Sequence, residues 1–388
     1  MYRMGKPEVE AVERVLTSHQ LFRIGSKFQE VNNFEKEFSE KMGAAHCLRL
    51  SSGTGALTAA LAALGIGPGD EVIVPAYTFM ATAVAVLSVG AIPVVAEIDE
   101  TMTLDMDDLE RKITKDTKCV IPVHIQGFPC NMARLMELKE KYGFYVVEDA
   151  CQADGGSYRG KRLGTIGDCG AYSFNYFKII SAGEGGAMVT NDIDLYQRAI
   201  IYHDCGTPFW TYETPITEPL YTGTNMRVSE ITGAIMRVQL TRLDGILADL
   251  RRVKKTVMDA VADVPGLKAN PSHDIEGDCG VCIPFIFDTV EKAERFEKLI
   301  GGTRPINTGK HVYREWTPIL EKRGAPSRAL NPYEDPQNAG LRLDTTVDSC
   351  PKTLDILSRT VYQFLHCDWD DQKINEVVKT IRAAAEAL

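Results

Sequence analysis

The chain has 388 residues, 44% of them hydrophobic and 25% charged, which is enough for roughly two or three domains and too apolar for disorder. Acidic residues outnumber basic ones 53 to 43, giving a formal charge of −10. A phosphate backbone rewards clustered Lys and Arg, so this balance argues against nucleic acid as a partner.

The segment Met1 to Glu10 lacks a basic stretch followed by an apolar run, so no signal peptide is expected. From about residue 50 to 190, short β-branched runs alternate with helix-period segments, which predicts an α/β layer. A helix over 55–64, rich in Ala and Leu, ends at Gly65-Ile-Gly-Pro-Gly-Asp70, and a strand follows at Glu71-Val-Ile-Val-Pro75. The apolar window from Met80 to Ala96 contains Thr82, Ser88, Gly90 and Pro93. These residues break it as a membrane span and suit a helix over 80–89 followed by a strand at 92–96.

Asp105-Met-Asp-Asp suits the positive end of the next helix. Strands are predicted at 119–124 and 144–149, with a helix over 131–142 between them. The second of those strands ends in Glu148-Asp149, where open α/β sheets place their ligands. Two more strands, 170–174 and 186–190, flank a glycine-rich loop. The alternation then stops, and helical patterns over 228–262 lead into a second unit that closes with a helix over 371–388. The expected division is a large α/β domain over 1–250 and a smaller α+β domain over 251–388.

Ten cysteines are scattered through the chain, most in apolar stretches, and are expected to be reduced core thiols of a cytoplasmic protein. Cys279-Gly-Val-Cys282 has metal spacing, but no second pair follows and the segment runs into a strand, so no metal site is expected.

Four segments carry candidate chemistry. Lys178 leaves a strand and enters the turn Gly183-Glu-Gly-Gly186; alone, such a lysine is more often a surface residue. Ser51-Ser-Gly-Thr54-Gly-Ala-Leu places hydroxyls and small residues at a helix start, where capping and anion binding use the same geometry. Asp149 at a strand end either caps a turn or opposes a protonated ring nitrogen. Tyr77-Thr-Phe79 puts an aromatic face beyond another strand end, with core packing as the plainer account. A lysine, a phosphate cradle, a strand-end aspartate and a stacking aromatic are together what pyridoxal 5'-phosphate requires: an amine for its aldehyde, donors for its phosphate and an anion for its pyridinium.

Over residues 20–245 the chain resembles the DegT/DnrJ/EryC1/StrS sugar aminotransferases, which are fold type I pyridoxal phosphate enzymes. The matching pieces are the 51–57 segment, Gly69 to Pro75, Glu148-Asp149-Ala150, Tyr172-Ser173-Phe174 with Lys178, Gly183 to Gly186, and Gly223-Thr-Asn225-Met-Arg227. The resemblance implies an α/β fold with a mixed, mostly parallel seven-stranded sheet in the large domain. It implies Lys178 as the Schiff-base lysine, Asp149 as partner of the ring nitrogen, Phe79 as the stacking aromatic, and Thr54, the Gly55 amide and Ser173 as phosphate holders. Asn225 would reach the phosphate of a neighbouring subunit, which implies a homodimer with shared active sites.

The family often has histidine where this chain has Gln152, an amide that can bind near the cofactor but cannot titrate. Arg227 and His311 are candidates for the substrates, glutamate or glutamine as amino donor and a keto or aldehyde sugar as acceptor. Arg304, Lys310 and Arg314 lie in the same polar stretch as His311, for which a solvated loop is the plainer reading. Some stretches, such as Leu163 to Asp168, are similar to enzymes that aminate an 8-oxo-octulosonate-type acid sugar; others, such as His203-Asp-Cys-Gly206, resemble 3-amino-5-hydroxybenzoate synthases. Nucleotide-linked sugars and a non-catalytic cofactor-binding regulator are the alternatives. Lys178 argues against the related dehydratases, which carry histidine there.

Overall fold

The computed structural model describes residues 3–207 and 215–388. Helices α1 (Lys6–Ser18) and α2 (Glu30–Met42) precede β1 (His46–Leu50), α3 (Gly53–Ala63), β2 (Glu71–Pro75), α4 (Ala81–Ser88) and β3 (Ile92–Ala96). Then come α5 (Met106–Lys112), β4 (Thr117–Val120), α6 (Met132–Tyr142), β5 (Tyr145–Asp149), a short hairpin of β6 (Ser157–Tyr158) and β7 (Lys161–Arg162), β8 (Cys169–Ser173), β9 (Gly186–Thr190), α7 (Ile193–His203) and α8 (Glu230–Val261).

Seven strands form one sheet in the order β1-β9-β8-β5-β4-β2-β3. All pairings are parallel except the two made by β9, so the other six strands point the same way. Strands β2, β3, β8 and β9 are buried along their whole length, as a sheet covered on both faces demands. Helix α3 is apolar nearly all round and lies packed against β8 and β9.

The strand expected over 119–124 ends at Val120. Pro122 has no N–H to give the ladder, and pairing with β5 resumes only as a single bridge between Val123 and Asp149. The other predicted elements of the large sheet appear within a residue or two of their expected limits.

The C-terminal part contains β10 (Lys268–Ala269), β11 (Cys282–Ile286), α9 (Val290–Ile300), α10 (Thr317–Leu320), α11 (Pro351–Arg359), β12 (Thr360–Phe364) and α12 (Asp371–Glu386). Its three strands form an antiparallel sheet, β10-β11-β12. Residue 250 lies inside α8. Before it, Met236, Leu240, Leu243 and Leu247 pack in the core of the large sheet; after it, Val253, Val257 and Val261 pack with Phe285, Phe296 and Ile381.

Glu230 at the start of α8 is buried and accepts the N–H groups of Glu30 (2.7 Å) and Val31 (3.1 Å), capping α2 from outside. All ten cysteines are free. Cys279 and Cys282 are buried, with the Cys279 side chain filling the space left by Gly127 and Gly156. No helix among the described residues is long and apolar enough to cross a membrane.

Candidate active site

Register brings Leu50 and Ser173 opposite Gly186 from its two sides. The loops leaving β1 and β8 and the loop entering β9 therefore meet at the C-terminal edge of the parallel strands, beside Asp149 at the end of β5. That edge is where a sheet of this kind opens a crevice.

The cradle is built on space. A Cβ at Gly53 would lie 2.8 Å from the Ser173 Cβ and 2.8 Å from Cys151 Sγ, and one at Gly186 would lie 2.2 Å from the Ser52 carbonyl oxygen. Only glycine lets these backbones approach, and the first N–H groups of α3 are left facing the gap without helical partners. Ser52 is the cap: its Oγ accepts the Gly55 N–H at 2.9 Å. The Gly55 amide is thus committed to Ser52 in this structure. The hydroxyls of Thr54 and Ser173 carry no hydrogen bond to a described residue as donors. Donors at a helix N-terminus with two hydroxyls suit a phosphate.

Asp149 is buried at the strand end, where Oδ2 accepts the Thr82 hydroxyl (2.7 Å) and Oδ1 the Cys151 N–H (3.1 Å). Thr82 in turn lies 2.8 Å from the Thr78 hydroxyl. Glu148, pointing the other way, is structural. It accepts N–H groups from Gly164, Ile166 and Gly167 at 2.6–2.8 Å and meets His124 Nε2 at 3.1 Å. The Cys130 N–H is donated to His124 Nδ1, which places the ring proton on Nε2 and directs it at Glu148.

Lys178 is half-buried in the turn after β8, and its amine has no hydrogen-bond or ion-pair partner among the described residues. Phe79 is exposed, with its ring 5.3 Å from that of His311. Burial, and secondarily the Lys178 charge, hold the His311 imidazole below its usual value, against the opposing pull of the Thr308 carbonyl. The segment carrying His311 is strapped to the loop after β2. The Thr78 N–H bonds the His311 carbonyl (3.0 Å), the Met80 N–H that of Lys310 (2.9 Å), and the Tyr313 N–H that of Ala76 (3.0 Å). Residues 230 or more positions apart in sequence therefore form one wall.

Gln152 turns its amide oxygen to the Gln126 N–H at 3.0 Å, holding a loop in which Gln126 adopts a left-handed φ of 51°. Asn225 is exposed, and its Oδ1 accepts the Arg227 N–H (3.1 Å). The Arg227 guanidinium pairs with buried Asp204 and lies over the Phe22 ring at 5.7 Å. Arg304 is bound by Glu294 and Glu297, whereas Lys310 is exposed and has no ion-pair partner among the described residues.

The structure thus brings Lys178, Asp149, Ser173, Thr54, Phe79 and His311 to one edge, with Asn225 and Arg227 on a following loop joined to the cradle where the Ser51 N–H bonds the Met226 carbonyl at 3.0 Å. Sequence reasoning missed Thr82 and Thr78, hydroxyls a helical turn apart beside Phe79, and the buried Asp154. A glycine-lined cradle, a free amine and a buried, hydrogen-bonded carboxylate fit pyridoxal phosphate.

Residues 3–382 match the DegT/DnrJ/EryC1/StrS aminotransferase family, and the chain belongs to it. The GDP-perosamine synthase of Caulobacter vibrioides is 41% identical over 254 residues, which are 64% of this chain and 67% of that one. The 3-amino-5-hydroxybenzoate synthase of Amycolatopsis mediterranei is 38% identical over 246 residues, 62% of each chain. Among solved structures, a 3-amino-5-hydroxybenzoic acid synthase superposes with a TM-score of 0.81 at 27% identity, covering 100% of this chain and 98% of that one. The Streptomyces venezuelae enzyme DesV, solved with a ketimine intermediate, superposes at 0.77 and 29% identity over 98% and 95%. The protein is therefore an aminotransferase of the sugar aminotransferase family, with the fold type I architecture expected from the sequence.

Proposed function

We propose that this aminotransferase uses pyridoxal 5'-phosphate on Lys178 to move an amino group from glutamate or glutamine to a keto or aldehyde sugar. The observation that carries the reading is the unpartnered Lys178 amine in the crevice that also holds Asp149, Phe79 and the glycine-lined cradle. When bound, the cofactor supplies an aldehyde that captures amines and a ring that withdraws electrons from the carbon losing a proton.

The residues have separate tasks. Thr54, Ser173 and the amides at the start of α3, the Gly55 N–H among them, would hold the phosphate. Asp149 keeps the ring nitrogen protonated, and Thr82 and the Cys151 N–H aim its carboxylate. Phe79 covers the ring face. The Lys178 amine would be the group that captures the aldehyde, and its Nζ, when free, would hold and move the proton of the reaction. The Gln152 NH2, opposite the oxygen it commits to Gln126, is left for the cofactor.

The exposed Asn225 amide serves a second copy of the chain, so the active unit is a homodimer with shared sites. Arg227 orients a donor carboxylate only by exchanging its contact with Asp204. His311, kept neutral, and Lys310 stand at the acceptor side. The names of the relatives make a nucleotide-linked keto sugar the first acceptor to test. An octulosonate-type acid sugar is the second, favoured by Lys310 at the same wall.

Borohydride reduction of the loaded protein followed by peptide mapping tests the site: the adduct is expected on Lys178, and an adduct elsewhere or none ends this reading. Mass spectrometry of products from a panel of keto and aldehyde sugars, with each donor, then identifies the pair.

A further inference from the structure

Thr78 lies in the loop that follows β2 and Thr82 in the first turn of α4, and both side chains are buried. A hydroxyl has one proton to donate, so two buried hydroxyls in contact must choose a direction. The Thr82 hydroxyl has two acceptors within reach, Asp149 Oδ2 at 2.7 Å and the Phe79 carbonyl at 3.2 Å. The carboxylate contact is the shorter one, and a charged acceptor makes the stronger bond. Thr82 therefore donates to Asp149.

That direction fixes the next one. With its own proton aimed at Asp149, the Thr82 oxygen can only accept from Thr78 across the 2.8 Å between them. The other acceptor near the Thr78 hydroxyl, the Phe79 carbonyl, stands further off at 3.4 Å. Thr78, Thr82 and Asp149 thus form a relay in which each hydroxyl polarises the one after it. The outer end is anchored, because the Thr78 N–H bonds the His311 carbonyl at 3.0 Å, so a segment from the C-terminal part sets where the relay starts. At the inner end the Cys151 N–H holds Asp149 Oδ1 at 3.1 Å, and the carboxylate is gripped through both oxygens.

We propose that Thr78 is a positioning residue: its hydroxyl keeps that of Thr82 pointed at Asp149 and so fixes the carboxylate toward the ring nitrogen of the bound cofactor. Without the Thr78 hydroxyl, the Thr82 oxygen becomes a buried acceptor that has lost its donor, and the Thr82 proton is free to turn to the Phe79 carbonyl. The inference rests on the proposed function, in which Asp149 opposes the ring nitrogen.

The test compares two ligands on the full chain, pyridoxal 5'-phosphate and its deaza analogue, in which a C–H replaces the ring nitrogen. Equilibrium dialysis gives the affinity of each for wild type, Thr78→Val, Thr78→Ser and Asp149→Asn. Valine keeps the branched shape of Thr78 and the N–H bonded to His311, and removes the hydroxyl alone. Thr78→Val is expected to lower the preference for pyridoxal phosphate over the analogue about three- to tenfold, the scale of one hydrogen bond, while affinity for the analogue stays as in wild type. Thr78→Ser, which restores a hydroxyl, is expected to return the preference to the wild-type value. A merely structural role would weaken both ligands alike; that result, or an unchanged preference, overturns the proposal. Asp149→Asn tells the two levels apart. If it loses the preference and Thr78→Val does not, the role of Thr78 falls and the proposed function stands. If Asp149→Asn keeps the preference, the assignment of Asp149 falls and this proposal with it. Should Thr78→Val not fold, Thr78→Ala decides by the same ratio.

Discussion

Gly186→Ala is the sharpest test of how the cradle is made. The added Cβ would lie 2.2 Å from the Ser52 carbonyl oxygen, 2.3 Å from its carbonyl carbon and 2.7 Å from the Gly53 nitrogen. All three are backbone atoms and cannot rotate away. Contacts of this kind relax only near roughly 3.5 Å, so the turn over residues 51–53 must retreat by about 1 Å. That turn carries the Ser52 cap, whose carbonyl also accepts the Ala56 N–H at 3.0 Å. Overpacking and a loosened cap together cost about 2–4 kcal/mol. Moving the amides off an anion forfeits at least one charge-assisted hydrogen bond, about 1.5–3 kcal/mol, or about 10- to 100-fold in affinity. Equilibrium dialysis with pyridoxal phosphate and thermal melting read the two effects separately. Gly340→Ala, where nothing lies within 4 Å of the added carbon, is the control and is expected to be neutral. Unchanged affinity and melting in Gly186→Ala would refute the cradle as drawn.

Lys178→Ala is expected to lose both the reduced covalent adduct and turnover while melting like wild type; normal turnover would remove Lys178 from the reaction. Asp149→Asn should retain cofactor yet slow both half-reactions about 10- to 100-fold through the lost charge, and Thr82→Val should slow them less, as rapid-mixing absorbance would show; wild-type rates in Asp149→Asn would assign the ring nitrogen to another group. For Glu71, burial alone would raise the carboxyl, but the Arg342 guanidinium, the Arg342 N–H and the Thr114 hydroxyl override it and hold the group below its ordinary value. A depressed carboxyl contributes stability above its unfolded value and loses it as pH falls through the folded one. Arg342→Ala, leaving a side chain only 2% exposed without its ion partner, should therefore cost about 3 kcal/mol at neutral pH, with the deficit narrowing below about pH 4 in urea melts. A deficit independent of pH would mean that packing, not charge, holds Arg342.

Much of this protein was legible in one dimension because its signals are local. β-Branched runs such as 71–75 and 92–96 read as covered strands, the break at 65–70 ends a helix, and Asp149 at one strand end with Lys178 leaving another strand pointed to the sheet edge. What lies behind that edge was decided by the tertiary structure. Thr82 became the partner of Asp149 because α4 starts beside β5 in space, 67 residues away in sequence. His311 joined Phe79 because a segment from the C-terminal part hydrogen-bonds the loop after β2. Pro122 cut a strand that its neighbours' β propensity favoured, and Asp154, which looks like an ordinary turn residue in sequence, was fully buried. Periodicity and turn chemistry depend on neighbours a few residues apart, so sequence alone specifies the elements and their order. Burial, and therefore the charge state and partner of each polar group, depends on what packs against it from far along the chain, and only the folded molecule determines that.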